Sequence, residues 1–120
     1  MNERFDPSGK LATHPQFALH LRGERVYPIG IEISPCGWCS ATCDFCWYAQ
    51  GAAGSHRKVA LDVDVLERVL GECQALGVKA VTWTGGGDPS LYPYIRWAVD
   101  YAVECYLRQG MFTNALIMPK

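Results

Sequence analysis

Ile29, Ile31 and Ile33 alternate with Gly30 and Glu32, the period-two pattern of a strand, so a first strand is predicted over residues 28–34. Further on the period changes. Leu66, Val69, Leu70, Cys73 and Leu76 recur at the spacing of one helix face. Asp62 precedes them as an N-cap, and Gly77 follows where a left-handed C-cap belongs, which predicts a helix over residues 62–76. Residues 78–84 return to β-branched residues and Trp83 and read as a second strand that ends at a run of glycines. Pro93 suits the first turn of a second helix, carried by Ile95, Val99, Ala102 and Tyr106 to a stop at Gly110. Residues 111–118 then read as a third strand, closed by Pro119. Ahead of all this, residues 14–22 carry Phe17, Leu19 and Leu21 and suit a short helix ended by Gly23, and residues 1–13 form a polar, Pro- and Gly-containing arm.

The order strand, helix, strand, helix, strand implies right-handed crossovers and a parallel α/β sheet. Two segments are expected: an N-terminal arm with a possible short helix at 1–27 and an α/β unit at 28–120. Ligands of parallel βα architectures bind at the carboxyl ends of the strands. A cysteine-rich loop follows the first predicted strand and a glycine run follows the second, so both face one mouth. Thr113 and Asn114, on the third, are expected near the same region. Residues 51–55 read as a mobile connection between the cysteine loop and the first long helix.

Composition narrows the class. The 120 residues suffice for one domain, and a formal net charge of −1 leaves no footprint for nonspecific nucleic-acid binding beyond Arg57-Lys58. The N-terminus has no apolar signal-peptide core, and no run approaches the roughly 18 apolar residues of a membrane span. A cytoplasmic, reducing setting without membrane attachment is the expectation, so the six cysteines read as ligands, core residues or reactive thiols rather than disulfides.

Cys39, Cys43 and Cys46 stand in a CxxxCxxC spacing, with Pro35 and Gly37 upstream arguing for a loop. Thiolates this close on a loop can converge on one small metal site, and an iron-sulfur cluster is the first reading. Cys36 extends the pattern to CxxCxxxCxxC, which would suit a closed zinc site or a fully ligated electron-transfer cluster in a noncatalytic cysteine-rich module. Zinc sites generally pair two knuckles across a longer segment, which weighs against that alternative.

The cysteine spacing resembles the signature of the radical S-adenosylmethionine superfamily. The resemblance extends to Phe45, the aromatic residue before the last cysteine, and to Thr84-Gly85-Gly86-Gly87-Asp88-Pro89, similar to the family's glycine-rich segment after its second strand. It implies that Cys39, Cys43 and Cys46 hold three irons of a 4Fe-4S cluster. The open fourth iron would take the amino and carboxylate groups of S-adenosylmethionine. It implies contact of Phe45, Gly85, Gly86, Gly87 and Asp88 with that cofactor, although Asp88 replaces the commoner glutamate, has a shorter reach, and equally suits a cap of the turn before Pro89. It further implies reductive cleavage of S-adenosylmethionine to a 5′-deoxyadenosyl radical that abstracts hydrogen from a substrate. An electron donor such as flavodoxin or ferredoxin is implied as partner. The fold implied is a partial TIM-like (βα) barrel truncated to about three strands, since a full eight-unit barrel takes about 250 residues. Such a sheet would be completed by further chain, a partner or a second copy.

Other chemistry-bearing residues have plainer readings. Cys73 and Cys105 lie on apolar helix faces and are expected in the core. His14, His20 and His56 have no ligand spacing. Trp38, Trp47 and Tyr48 either screen a cluster from solvent or pack the loop. Glu32 faces either a barrel lumen or solvent at a sheet edge.

Overall fold

The structure, a computed structural model, describes residues 14–50 and 58–117. The arm at 1–13, the connection at 51–55, His56 and Arg57 lie outside the described residues. Three strands, β1 (Gly30–Ile33), β2 (Ala80–Trp83) and β3 (Arg108–Met111), form one parallel sheet in the order β1-β2-β3. Helix α1 (Pro15–Leu21) precedes β1, and the short α2 (Trp47–Gln50) follows the cysteine loop. Helix α3 (Val63–Ala75) links β1 to β2, and α4 (Ile95–Glu104) links β2 to β3. The expected α/β class and parallel, partial-barrel topology are what the chain adopts.

Alternation along the strands sorts the sheet into two faces. Ile31, Ile33, Val81 and Trp83 point to one side, where Leu66, Leu70 and Cys73 of α3 and Ile95, Ala98 and Ala102 of α4 complete a single buried core. Burial raises the Cys73 and Cys105 thiol pKa values, in keeping with their core positions. Gln109 shares this face and serves it as a polar brace. Its side chain accepts from the Trp83 indole N–H at 2.8 Å and donates to the Val99 carbonyl at 2.9 Å. The opposite face carries Gly30 and Glu32 beside Ala80 and Thr82, then Arg108 and Gly110, with Glu32 exposed and Thr82 half-buried. Glu32 therefore projects from the face that a barrel would enclose.

The helix ends follow local chemistry. Asp62 caps α3 by accepting from the amides of Asp64 at 2.9 Å and Val65 at 3.4 Å. At the other end Gly77 takes the left-handed conformation, and the Val78 amide returns to the Cys73 carbonyl at 2.9 Å. Helix α4 departs from the expected span. It ends at Glu104, because Tyr106 adopts a φ of +59° and the Leu107 amide closes back on the Ala102 carbonyl at 3.0 Å. This left-handed closure needs no glycine, so the chain turns four residues before Gly110. The third strand consequently occupies Arg108–Met111 rather than 111–118, and Thr113 and Asn114 lie beyond its carboxyl end. Pairing with β2 overrides the weak strand propensity of Arg-Gln-Gly.

Candidate functional site

The carboxyl ends of β1, β2 and β3 converge on a small mouth built from the cysteine loop, the glycine run and the segment after β3. The cysteine loop is pinned at its base. Cys36 forms an antiparallel bridge with Ala60, the Gly37 amide donates to the Val59 carbonyl, and the Leu61 amide donates to the Pro35 carbonyl, both at 2.8 Å. Residues 35–37 and 59–61 thus pair beside the end of β1.

Cys36 does not face this mouth as a ligand would. Its side chain is buried, and its thiol donates to the Asp88 carbonyl at 3.3 Å. Burial pushes its pKa up, with the nearby Asp88 and Cys39 charges adding to the rise, against a hydrogen bond to the Trp38 backbone. A buried thiol spent on a main-chain carbonyl is poorly placed to serve as a metal donor.

Cys39, Cys43 and Cys46 are more accessible. All three are free thiols; Cys43 is exposed, and Cys39 and Cys46 are half-buried. They are spread along the loop, and among the described residues no group of three or more Cys, His, Asp or Glu side chains is gathered as a ligand set. Metal binding displaces the protons of such thiols, so convergence of the three sulfurs is coupled to uptake of the metal. The donor set fits a thiophilic iron-sulfur cluster in its chemistry: three accessible soft sulfurs, one of them already meeting N–H groups. The Ala41 amide and the Asn114 side-chain amide each donate to the Cys39 sulfur at 3.4 Å. Phe45 and Trp47 project outward, 89% and 82% exposed, so neither packs the loop. Trp38 instead packs against the core.

The glycine run is pressed against the cysteine loop. Gly85 has a φ of +125°, and a Cβ there would strike the Ser34 side chain. A Cβ on Gly87 would lie 2.6 Å from both the Cys36 carbonyl oxygen and the Trp38 nitrogen, and closer still to the Trp38 oxygen. At Gly86 the Tyr48 ring lies over the backbone, 2.9 Å from where a Cβ would stand. Hydrogen bonds hold the contact: the Asp88 amide donates to the Trp38 carbonyl at 2.8 Å, and the Gly86 amide donates to the Ser34 hydroxyl at 3.3 Å. At Gly87 backbone thus meets backbone, and glycine is what permits it.

Asp88 ties the third element in. Its side chain is buried, and Oδ1 accepts from the Ser90 amide at 2.9 Å and the Thr113 hydroxyl at 2.7 Å. Oδ2 accepts from the Asn114 amide at 3.0 Å. Burial alone would raise the carboxyl pKa, but the hydrogen bonds from Thr113, Ser90 and Asn114 outweigh it and hold the group below its usual range. Asp88 also begins the short 3₁₀ turn Pro89–Leu91, so one carboxylate serves both as a turn cap and as the clamp between the ends of β2 and β3. The expected pairing of Thr113 and Asn114 with the mouth is realised through it. Ser34 and Ser40, which gave no signal in the sequence, join the site through Gly86 and Asn114.

Comparison with known proteins agrees with this geometry. A sequence model of the Radical SAM superfamily matches residues 33–119, whereas no curated protein sequence matches the chain. Among solved structures, Streptococcus suis SuiB bound to the precursor peptide SuiA is similar at a TM-score of 0.70 and 25% identity, over 86% of this chain and 22% of that one. SuiB bound to S-adenosylmethionine is similar at a TM-score of 0.70 and 24% identity, over 86% of this chain and 23% of that one. BtrN in complex with AdoMet and 2-DOIA shares the fold at a TM-score of 0.56 and 20% identity, over 73% of this chain and 36% of that one. The chain spans less than a quarter of the length of SuiB. By the match over residues 33–119, joined to a mouth that sets a CxxxCxxC loop against a glycine-rich turn, the chain belongs to the radical S-adenosylmethionine superfamily.

Proposed function

We propose that this chain provides the cluster-binding and S-adenosylmethionine-binding mouth of a radical enzyme, with Cys39, Cys43 and Cys46 as the three thiolate ligands of a 4Fe-4S cluster. When bound and reduced, such a cluster supplies the electron that cleaves S-adenosylmethionine to methionine and a 5′-deoxyadenosyl radical, which takes hydrogen from a substrate. The observation that carries the reading is the contrast among the four clustered cysteines. Cys36 is buried and spent on the Asp88 carbonyl, while the other three line an accessible loop. Three thiolates leave one iron for an external ligand; four would close the site.

The protein's own residues orient and shield. Gly85, Gly86 and Gly87 bring backbone groups to the mouth within reach of the amino end of the ligand. Asp88 holds that turn in place through its hydrogen bonds to Ser90, Thr113 and Asn114. Phe45 presents its exposed ring to bound S-adenosylmethionine, and Tyr48 covers the glycine run. The open face bearing Glu32 and Thr82 is completed by further barrel strands, from more chain or a partner, and closes over the radical to exclude water. A reduced flavodoxin or ferredoxin serves as electron donor. Among the described residues no helix is long and apolar enough to cross a membrane.

Anaerobic loading with iron and sulfide tests the reading. The chain should turn brown, Cys36→Ser should retain the chromophore, and Cys43→Ala should lose it. In the completed enzyme, reductive release of 5′-deoxyadenosine should vanish in Cys43→Ala. A colourless protein that retains zinc through four thiolates including Cys36 would refute it in favour of the noncatalytic module.

A further inference from the structure

Asn114 sits beyond β3, 75 positions along the chain from Cys39, yet its Nδ2 lies 3.4 Å from the Cys39 sulfur. The orientation of this amide is decided by its other contacts. Its Oδ1 accepts from the Leu116 amide at 2.9 Å, which makes the oxygen the acceptor of an Asx turn and leaves the NH₂ group to face the sulfur and the Ser40 hydroxyl, the latter at 3.4 Å. The backbone beneath is equally constrained. The Asn114 amide donates to Asp88 Oδ2 at 3.0 Å, and the next residue, Ala115, is held at a φ of +55° with its amide on the Thr113 hydroxyl at 3.0 Å. A non-glycine residue kept in that region marks a turn whose shape is imposed by its surroundings. The side chain therefore arrives at Cys39 on a short, braced turn.

We infer that Asn114 is a positioning residue that sets the electronic character of the cluster through an N–H···S hydrogen bond to Cys39. This deepens the proposed function and rests on its reading of Cys39 as a ligand. A donor on a ligating sulfur withdraws charge from it, favours the reduced cluster and raises its potential. The Ala41 amide makes the same kind of contact at 3.4 Å from within the loop, but it is main chain. Asn114 is the side-chain donor, and Asp88 and the Asx turn make its position depend on the glycine run as well. The end of the third strand is thereby coupled to the reactivity of the first loop.

The test is a redox titration and pulsed EPR study of the full chain loaded with iron and sulfide. Asn114→Asp keeps an acceptor for Leu116 and so keeps the turn, but it removes the N–H donor. Asn114→Ala removes the whole side chain without adding charge. Both variants should load with iron and show a midpoint potential more negative than that of the unsubstituted chain, Asn114→Asp the more so. The reduced unsubstituted protein, exchanged into deuterium oxide, should show hyperfine coupling to a side-chain amide deuteron that is absent from both variants. A purely structural role would not remove that coupling while leaving iron content intact. Variants that load normally with unchanged potential and unchanged coupling overturn the role of Asn114 and leave the proposed function standing. An unsubstituted chain that takes up no cluster overturns both.

Discussion

Replacing Gly87 by alanine should separate the two halves of the site. The added Cβ would stand 2.6 Å from the Cys36 carbonyl oxygen and 2.6 Å from the Trp38 nitrogen, where about 3.5 Å is comfortable for nonbonded heavy atoms. The three nearest obstructing atoms are backbone, and Cys36 is pinned by its bridge to Ala60, so the closest clashes have no flexible side chain to relieve them. Opening the contact by about 1 Å takes the Asp88 amide, now 2.8 Å from the Trp38 carbonyl, out of hydrogen-bonding range. Overpacking costs roughly 1–3 kcal/mol, and an unsatisfied buried donor costs a comparable amount, giving about 4 kcal/mol in total. Gly71→Ala is the matched control: it lies inside α3, its Cβ would be 3.7 Å from the Tyr101 hydroxyl, and relief of glycine's poor helix propensity should stabilise by about 1 kcal/mol. Urea unfolding of both variants measures the two effects, and iron uptake should fall for Gly87→Ala while staying normal for Gly71→Ala. A Gly87→Ala protein with wild-type midpoint and full iron content would refute the claim that backbone contact joins the loops.

Asp88→Ala leaves the Ser90 and Asn114 amides and the Thr113 hydroxyl without their acceptor and should cost about 3 kcal/mol in the same assay. Because the folded carboxyl titrates below its unfolded value, its contribution is complete above the unfolded pKa and is lost as pH falls through the folded one. Asp88→Asn should therefore show a shallower loss of stability on acidification than the unsubstituted chain, and an identical acid limb would contradict the assignment. Tyr106→Gly removes an exposed side chain from a left-handed position and should stabilise by about 1 kcal/mol in thermal unfolding, a decrease arguing against strain there. Asp62→Ala removes the cap of α3 and should cost about 1 kcal/mol, read as a lowered urea midpoint.

Much of this protein is written in short-range pattern. The isoleucine alternation, the α3 stripe with its Asp62 and Gly77 caps, and the CxxxCxxC spacing each depend on residues a few positions apart, so they were legible without a fold. The family and the partial-barrel topology followed from them. What escaped was decided by contacts between distant segments. Tyr106 turns the chain before Gly110 because closure onto Ala102 and pairing with β2 together outweigh the unfavourable φ of one residue. That shift carries Thr113 and Asn114 off the strand and onto Asp88. Spacing leaves Cys36 as a rival fourth ligand beside the CxxxCxxC set, and its burial on the Asp88 carbonyl, against a half-buried Cys39 that meets the Asn114 side chain, is a tertiary distinction. Local sequence determines which elements form and which ligand types lie at their ends, since propensity, capping and periodicity act within a few residues. The tertiary structure decides which of those groups are spent on the protein itself and which are left for a ligand, because burial and hydrogen-bond partners exist only once distant segments meet.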